Sequence, residues 1–426
     1  MKNNVLLITR DFTPYCKQTG WMIRTVSLAN FLKTNEFEVH VLATKRSSQV
    51  NKLYLEDGIY TNWVINGLHH ALSTSLKLFH PSVIPYLFKY LSTKVKDKYI
   101  YDYDQPLISD YRAKISEIIE TKGISKIIIS TPPHSLLLLI PWVKSKYPSV
   151  TVVMDMRDGW SIRPLYKAQG EKQRLMEWHE AEIIKHADAC VYVSSGLREI
   201  YISKYGNHQS YVIENGFEES HENESADDAY VSLIKDLKSH NKLIIGFFGS
   251  ATIGYPGKHK DLTPVIEAIY SDELLRERIH LLVQGTINVK KDTNVGSSVT
   301  VLDSANHSVI HKHMSLNDIG LVIHDVPREY APAVIGGKTY DYVKAGIPTL
   351  GISDPNSKSL FQMIIAVGGV HADIRNIDEI QRQLHYLLNE YDKHQSLKHL
   401  VKVGDINEYS RSHMYKKYLT VLDEIA

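Results

Sequence analysis

Two segments in the second half of the sequence place lysine and glycine at or just before a predicted helix N-terminus. GSATIGYPGKHKD supplies Gly249, Ser250, Lys258 and Lys260, and GGKTYDYVKAG supplies Lys338 and Thr339. Free backbone N–H groups, the helix dipole and ammonium groups all favour a bound anion, above all a phosphate on which negative charge grows during a reaction. The alternative for each lysine is an exposed surface charge. The chemistry indicated is electrostatic stabilisation of phosphate.

Acids and a histidine at the ends of predicted elements are candidates for contacts with ligand hydroxyl groups. Asp341, near the start of the second lysine-containing helix, offers two acceptor oxygens on a rigid element, or else caps the helix dipole. His134 follows a buried strand, so its ring either projects into a cleft as a donor or is structural. Asp155, Arg157 and Asp158 alternate in charge at another strand end. These residues either form an internal ion-pair network, as we expect for Arg157, or contact a ligand, as we expect for Asp158.

The residue spacings argue against several other kinds of site. His311 and His313 are two positions apart and do not share a helix face, and no cluster of His, Cys and Asp has the spacing of metal ligands. The GxGxxG fingerprint of dinucleotide enzymes and the GxSxG nucleophile motif are both missing. We therefore expect chemistry that needs neither a metal ion nor a bound cofactor.

The elements that must position these residues alternate between strand and helix, the pattern of parallel α/β sheets. Strand Val5–Thr9, helix Arg24–Lys33 and strand Glu38–Thr44 form a βαβ unit, and the pattern restarts at strand Leu243–Phe248. A chain of 426 residues suits two such domains, whose strand carboxyl ends would face one central cleft. The predicted division is an N-terminal domain over 1–217 with an insertion at 47–110, an acidic linker over 218–240, a C-terminal domain over 241–405 and a closing helix over 406–426.

Composition limits the expected compartment and partners. A net charge of +1, with 43% hydrophobic and 23% charged residues, gives no general reason to expect nucleic-acid binding. Cys16 and Cys190 stand far apart, which fits a reducing compartment, and no apolar run reaches the roughly eighteen residues of a membrane span. We expect a cytoplasmic protein. The segment 62–98 mixes apolar residues with lysines, so it either lies on an anionic bilayer surface or covers the first sheet.

An ordered set of motifs over nearly the whole chain resembles a known family. The segment STPPHSLLLLIPWVKSKYPSVTVVMDMRDGW, residues 130–160, is similar to the PPHS…DFRDPW region of a group of family 4 glycosyltransferases that build bacterial surface polysaccharides. HADACVYVSSGLREIY, VIENGF and GGKTYDYVKAGIPTLGIS resemble further elements of that family in the same order, with weak matches at 47–110 and 285–335. The resemblance implies the GT-B fold, two Rossmann-like doubly wound domains with the last helix packing back toward the first.

The resemblance implies that a UDP- or GDP-sugar donor binds mostly to the C-terminal domain. The lysines after Gly249 and Lys338 would hold its diphosphate, and Asp341 would bind the donor ribose as the second acid of the family's paired-acid motif. The first acid of that motif should stand at position 333, which is Ala333. Glu329, in the preceding loop beside Arg328, is the candidate replacement.

The resemblance implies that the acceptor, a saccharide or lipid-linked saccharide, binds to the N-terminal domain. Gly20 and Arg24 resemble the family's acceptor-side loop. Family 4 members retain anomeric configuration, which implies front-face attack with the leaving phosphate helping to deprotonate the acceptor. Two alternatives stay open: a sugar-nucleotide epimerase of the same shape, and a non-catalytic assembly partner that only binds nucleotide sugar.

Overall fold

Each half of the chain forms a parallel β-sheet in the computed structural model. The structure describes residues 3–425 except 17–19, 46–52, 66–101, 103, 163–169, 220–224, 252–259, 288, 290–292, 294–295 and 306. The first sheet has seven strands in the order β3-β2-β1-β4-β5-β6-β7, and the second has six in the order β10-β9-β8-β11-β12-β13. Both orders reverse direction beside their first strand, as in doubly wound folds, and ligands of such sheets bind where the order reverses.

The strands are short apolar runs that can be buried on both faces. Val5 and Leu7 of the first strand pack into one layer, whereas Leu6 and Ile8 pack into the layer on the opposite face. The first sheet consists of β1 Asn4–Ile8, β2 Glu38–Lys45, β3 Tyr60–Ile65, β4 Lys126–Thr131, β5 Thr151–Met156, β6 Ala189–Tyr192 and β7 Ser210–Val212. The second consists of β8 Leu243–Ala251, β9 Ile279–Ile287, β10 Val299–Leu302, β11 Ile319–His324, β12 Thr349–Ser353 and β13 Gly369–Asp373.

The helices connect the parallel strands and cover both faces of the sheets. In the first half they are α1 Gly20–Thr34, α2 Ile108–Lys122, α3 Leu139–Lys146, α4 Gly170–His186 and α5 Ser195–Tyr205. The remaining helices are α6 Asp228–Ser239, α7 Thr263–Tyr270, α8 Glu273–Arg278, α9 His307–Ser315, α10 Gly337–Ala345, α11 Lys358–Val367, α12 Ile377–His394 and α13 Arg411–Glu424. Serine hydroxyls cap two of them: Ser194 accepts a hydrogen bond from the Leu197 N–H, and Ser410 accepts one from the His413 N–H.

The prediction of two Rossmann-like domains of GT-B type is confirmed by this architecture. The last helix, α13, packs back onto the first domain as predicted, because Met414 and Tyr418 lie in the same buried cluster as Val5 and Leu7. The second sheet lies between β7 and α13 in sequence, so the chain returns to its first domain at the end.

Two predicted segments differ in the structure. The acidic linker expected over 218–240 contains helix α6, whose Tyr230, Ile234 and Leu237 are buried. These apolar residues fall at helical spacing, which outweighs the acidic composition of the segment. Of the insertion predicted over 47–110, the described part contains β3, which extends the first sheet, and the start of α2. Most of the insertion, including 66–101, lies outside the described residues.

A buried ion pair joins the first and last parts of the chain. The guanidinium of Arg24, 2% exposed, lies 3.4 Å from the Asp155 carboxylate and donates to Asn215 Oδ1 at 2.9 Å. The Tyr415 hydroxyl of α13 donates to the Arg24 carbonyl at 2.9 Å, and the guanidinium lies over the Tyr415 ring. Asp155 also accepts from the Ser130 hydroxyl at 2.6 Å. One residue thus holds α1, β5, the segment after β7 and α13 together.

We predict that Arg24→Ala destabilises the protein by about 3–5 kcal/mol, because it leaves the Asp155 carboxylate buried without its counter-charge. The free energy of unfolding from urea denaturation measures this. Arg382→Ala, at an exposed arginine, is the matched control and should change stability by less than about 0.5 kcal/mol. Equal stability of the two variants would contradict the role given to the ion pair.

Candidate functional site

The carboxyl ends of the two sheets face each other through direct contacts. After β5, the Gly159 N–H donates to the Tyr330 hydroxyl at 3.2 Å, and Tyr330 lies in the loop after β11. Next to β6, the Ser194 hydroxyl donates to the Ala333 carbonyl at 2.7 Å. A Cβ built on Gly196 would lie 1.9 Å from the Pro332 carbonyl oxygen, so only glycine permits this approach. The candidate site lies along this seam, between the two carboxyl edges.

The N-terminus of α10 forms one side of the site. Gly336 precedes the helix with φ 85°, a left-handed conformation, and a Cβ there would lie 2.5 Å from His324 Nε2 at the end of β11. The N-cap residue Gly336 has no side chain that could cap this helix, and among the described residues no atom lies within 4 Å of a Cβ built on Gly337. The Thr339 N–H donates to the Gly336 carbonyl at 3.3 Å, so the first turn of α10 offers the N–H groups of Gly337 and Lys338 and the positive end of the helix dipole to an anion.

Two lysines stand at this helix end. Burial and the positive charge of Lys338 lower the pKa of Lys260 from its ordinary 10.5. Lys338 Nζ donates to Asp341 Oδ2 at 3.0 Å, and His311 Nε2 lies 4.0 Å from Asp341 Oδ1. Lys260 and Lys338 were predicted to bind phosphate and Asp341 to bind a hydroxyl group, and the structure brings all three residues together. His311 was considered only for a metal site with His313, and His324 belongs to no recognised motif, so the sequence did not place either residue here.

The other residues predicted for donor binding have different environments. Ser250 is exposed at the end of β8, and Gly249 before it is left-handed, with φ 141°. Thr339 is fully buried and its hydroxyl bonds to the Ile335 carbonyl, so its side chain serves the helix rather than the cleft. Glu329 is exposed in the turn before Tyr330, and Lys258 lies outside the described residues.

The first-domain side is formed by the segments after β4 and β5. His134 is fully buried: its Nε2–H donates to the Asp158 carbonyl at 2.9 Å, and its ring stacks on Trp160. The His134 ring therefore does not project into the cleft, as one of the two predictions had it. The ring instead supports the loop that carries Asp158 and Gly159. The Asp158 side chain itself is half-buried.

The residues predicted for acceptor binding mostly make contacts that stabilise the fold. Arg157 is buried and its Nε donates to the Thr131 carbonyl at 2.8 Å, and burial lowers its pKa. Arg157 thus takes part in an internal network, one of the two roles considered for the charged residues at this strand end. Arg24 is buried in the pair with Asp155, and Gly20 is the first residue of α1.

Sequence reasoning missed a polar group near His134. Asp102 accepts from the Ser135 N–H at 2.9 Å and from its hydroxyl at 2.5 Å. Arg10, directly after β1, pairs with Asp11 at 3.0 Å and with Asp104 at 3.6 Å. Asp102 and Asp104 come from the predicted insertion, and nothing in their spacing indicated that the chain returns to this edge.

The arrangement can bind an anion on one side and a polar molecule on the other. Two lysines and a helix N-terminus neutralise phosphate charge, and the Asp341 carboxylate accepts from hydroxyl groups. Glu390, His394 and His399 are the one group of three potential metal ligands among the described residues, and they lie outside this region. The chemistry available at the seam is positioning and electrostatic stabilisation.

No protein-family model and no curated protein matches the sequence. Solved structures are similar in fold. A sucrose-phosphate synthase from Thermosynechococcus elongatus has a TM-score of 0.67 at 12% identity, over 100% of this chain and 99% of that one. The Anabaena protein HepE in complex with UDP and glucose has a TM-score of 0.62 at 10% identity, over 99% of both chains.

A third similar structure is an α,α-trehalose-phosphate synthase (UDP-forming) from Burkholderia xenovorans in complex with glucose-6-phosphate. Its TM-score is 0.58 at 11% identity, over 99% of this chain and 100% of that one. The likeness extends over both domains, so the whole chain has the GT-B arrangement of these proteins.

Within the part of the chain that the structure describes, the helices are all too short or too polar to cross a membrane.

We predict that affinity for an inorganic diphosphate falls as the pH rises through the lowered pKa of free Lys260. Binding of an anion requires the ammonium form, so affinity is lost when that proton leaves. The loss should begin below the ordinary lysine pKa of 10.5. Calorimetric titration with pyrophosphate across pH measures it.

Lys260→Arg is the matched variant for this titration. Arginine keeps its charge above pH 12, so the alkaline loss of affinity should move to higher pH. An identical pH profile in the parent and Lys260→Arg would mean that Lys260 does not hold the anion.

Proposed function

We propose that the chain is a retaining glycosyltransferase, similar to family 4, that moves a hexosyl or related group from a nucleotide sugar to a saccharide acceptor. The observation that supports this most is the pair Lys260 and Lys338 beside the N-terminus of α10. The two cations are close enough for one to lower the pKa of the other. Like charges held together in this way are stabilised when a diphosphate binds to them.

The reaction proposed is a front-face substitution at the anomeric carbon. The acceptor hydroxyl oxygen bonds to that carbon on the face from which the diphosphate leaves, and the carbon–diphosphate oxygen bond breaks. The hydroxyl proton passes to the departing phosphate oxygen, so the protein supplies no nucleophile. Charge on the leaving group is stabilised by Lys260, Lys338 and the first turn of α10. Because these groups can neutralise the diphosphate, we propose that the reaction needs no metal ion.

The donor is proposed to bind on the second-domain side of the seam. Gly249 and Ser250 at the end of β8 would approach the diphosphate together with Lys258 and Lys260. Lys338 donates to Asp341 Oδ2 at 3.0 Å, and this carboxylate is proposed to accept from the donor ribose. HepE in complex with UDP and glucose and the trehalose-phosphate synthase, which is UDP-forming, support a UDP-sugar as the donor to test first.

The acceptor is proposed to bind on the first-domain side, near Asp158 and the loop that His134 supports. The trehalose-phosphate synthase in complex with glucose-6-phosphate supports a sugar acceptor. From the family resemblance we propose a lipid-linked saccharide in the synthesis of a bacterial surface polysaccharide. The segment 62–98 would then hold the enzyme at the cytoplasmic membrane face; its residues 66–98 lie outside the described residues.

We predict selective binding of one nucleotide sugar from a panel of UDP-, GDP- and CMP-sugars, measured by ligand-observed NMR on the purified protein. Lys338→Ala should weaken it about tenfold or more, since one charge-assisted contact to a phosphate contributes about 1.5–3 kcal/mol. Asp341→Ala should weaken it as well, through the lost ribose contact. Lys312→Ala, at an exposed lysine of α9, is the matched control and should bind like the parent.

Product analysis with a saccharide acceptor then separates the possible functions. Transfer with retained anomeric configuration supports the proposal, whereas conversion of the nucleotide sugar without an acceptor would identify an epimerase. Binding without turnover would point to a non-catalytic assembly partner. If no nucleotide sugar binds, the proposed donor site is wrong.

We predict that replacing Lys77, Lys89, Lys94, Lys96 and Lys98 with glutamine reduces binding to vesicles that contain anionic lipid. Each lysine near such a surface contributes about 1 kcal/mol, so the combined loss is large at low salt. Co-sedimentation with phosphatidylglycerol vesicles measures it, and neutral phosphatidylcholine vesicles are the control. Unchanged sedimentation would remove the support for membrane contact.

A further inference from the structure

A second cluster of chemically active side chains lies at the end of α12, outside the proposed cleft. Glu390 and His394 are one helical turn apart, and His399 is brought back to them by the turn that follows the helix. Their potential ligand atoms, one from each residue, all lie within 4.8 Å of one another. Among the residues that the structure describes, no other group of three meets this condition.

The geometry directs the three side chains toward one point. Glu390 Oε2 lies 3.0 Å from His399 Nε2 and 3.8 Å from His394 Nε2. The two imidazole rings are 4.2 Å apart between centroids. Zinc bonds of 2.0–2.1 Å in a tetrahedron place ligand atoms roughly 3.4 Å apart, so small side-chain rotations are enough to reach that geometry.

Hydrogen bonds around the cluster orient two of the ligands. His399 Nδ1–H donates to the Ser396 carbonyl at 3.2 Å, which leaves Nε2 of a neutral ring as an acceptor. Backbone carbonyls commonly orient metal-binding histidines in this way. Lys393 donates to the other oxygen of Glu390 at 2.9 Å, which keeps Oε2 directed at the histidines.

With the His399 proton on Nδ1, both Nε2 and Glu390 Oε2 offer lone pairs to a cation that binds between them. The C-terminus of a helix carries partial negative charge, which favours a cation at the same place. The turn is fixed by Leu397, which is buried in the core of the second domain, so the cluster stands on a rigid base.

We propose that Glu390, His394 and His399 form a binding site for a divalent transition-metal ion of the zinc class. Two imidazoles and one carboxylate are ligands that Zn²⁺ accepts, with water completing the coordination. The site lies at the amino edge of the second sheet, because Asp392 on the same turn pairs with Arg278, the residue before β9. The ion therefore links the turn over 395–400 to the end of α12 and does not take part in sugar transfer.

The test is a Zn²⁺ titration of the full-length, tag-free protein against a chromophoric chelator, together with the absorption spectrum of the Co²⁺-substituted protein. We expect one tightly bound ion per chain and a Co²⁺ spectrum of low coordination number. His394→Ala and His399→Ala should each weaken Zn²⁺ binding at least about tenfold. Zn²⁺ should raise the melting temperature of the parent and not of these variants.

His240→Ala is the matched control. His240 lies 3.7 Å from Asp236 one turn earlier at the end of α6, the same pair spacing without a third ligand, and both residues are exposed. This variant should bind Zn²⁺ like the parent. Equal Zn²⁺ affinity in the parent, His394→Ala and His399→Ala, or no tight site in the parent, would overturn the proposal. Nucleotide-sugar binding should be the same in all four proteins, so the outcome is independent of the proposed function.

Discussion

The buried ion pair between Arg24 and Asp155 is the interaction on which the arrangement of the first domain depends. Two charges out of water are tolerated only when each is paired and hydrogen-bonded, and here the partners come from distant parts of the chain. In sequence, Asn215 follows the last strand of the first sheet, and Tyr415 follows the whole second domain. The return of α13 to the first domain therefore completes a polar network as well as an apolar layer. A chain without its last helix would leave this face of α1 uncovered.

The same network extends to the edge of the cleft. Asp155 accepts from Ser130, the Thr131 hydroxyl donates to the Asp155 carbonyl, and Arg157 donates to the Thr131 carbonyl. These bonds join the carboxyl ends of β4 and β5, from which the His134 and Asp158 segments emerge. Gly159 then contacts the loop of the second domain. Buried hydrogen bonds thus fix where the first-domain side of the site lies relative to the lysines. Arg157 and His134 form such bonds, which explains why they support the loop and do not face solvent.

Sequence patterns were sufficient to predict the fold but not to predict every residue of the candidate site. Apolar runs predicted the strands because parallel strands are buried on both faces. The glycine and lysine at the start of α10 led to the proposal of an anion site, because the backbone chemistry of a helix N-terminus is local. Helix α6 was missed because acidic composition was weighed above the spacing of Tyr230, Ile234 and Leu237. The Glu390 cluster was missed because His399 joins it only through a reversal of the chain, which residue spacing does not reveal.

Ala333 lies in the contact between the domains. The family resemblance implies the first acid of a paired-acid motif at this position, whereas Ala333 is 5% exposed and packs in one cluster with Trp160 and Tyr330. Its carbonyl accepts from Ser194, and the neighbouring Pro332 carbonyl accepts from Ser359, which also accepts from the Gly196 N–H. A carboxylate at this position would lose its hydration against an apolar surface at a cost of several kcal/mol, about the desolvation penalty of a buried charge. An acid at 333 would therefore destabilise this contact between the domains, and we propose that other groups along the seam recognise the donor sugar.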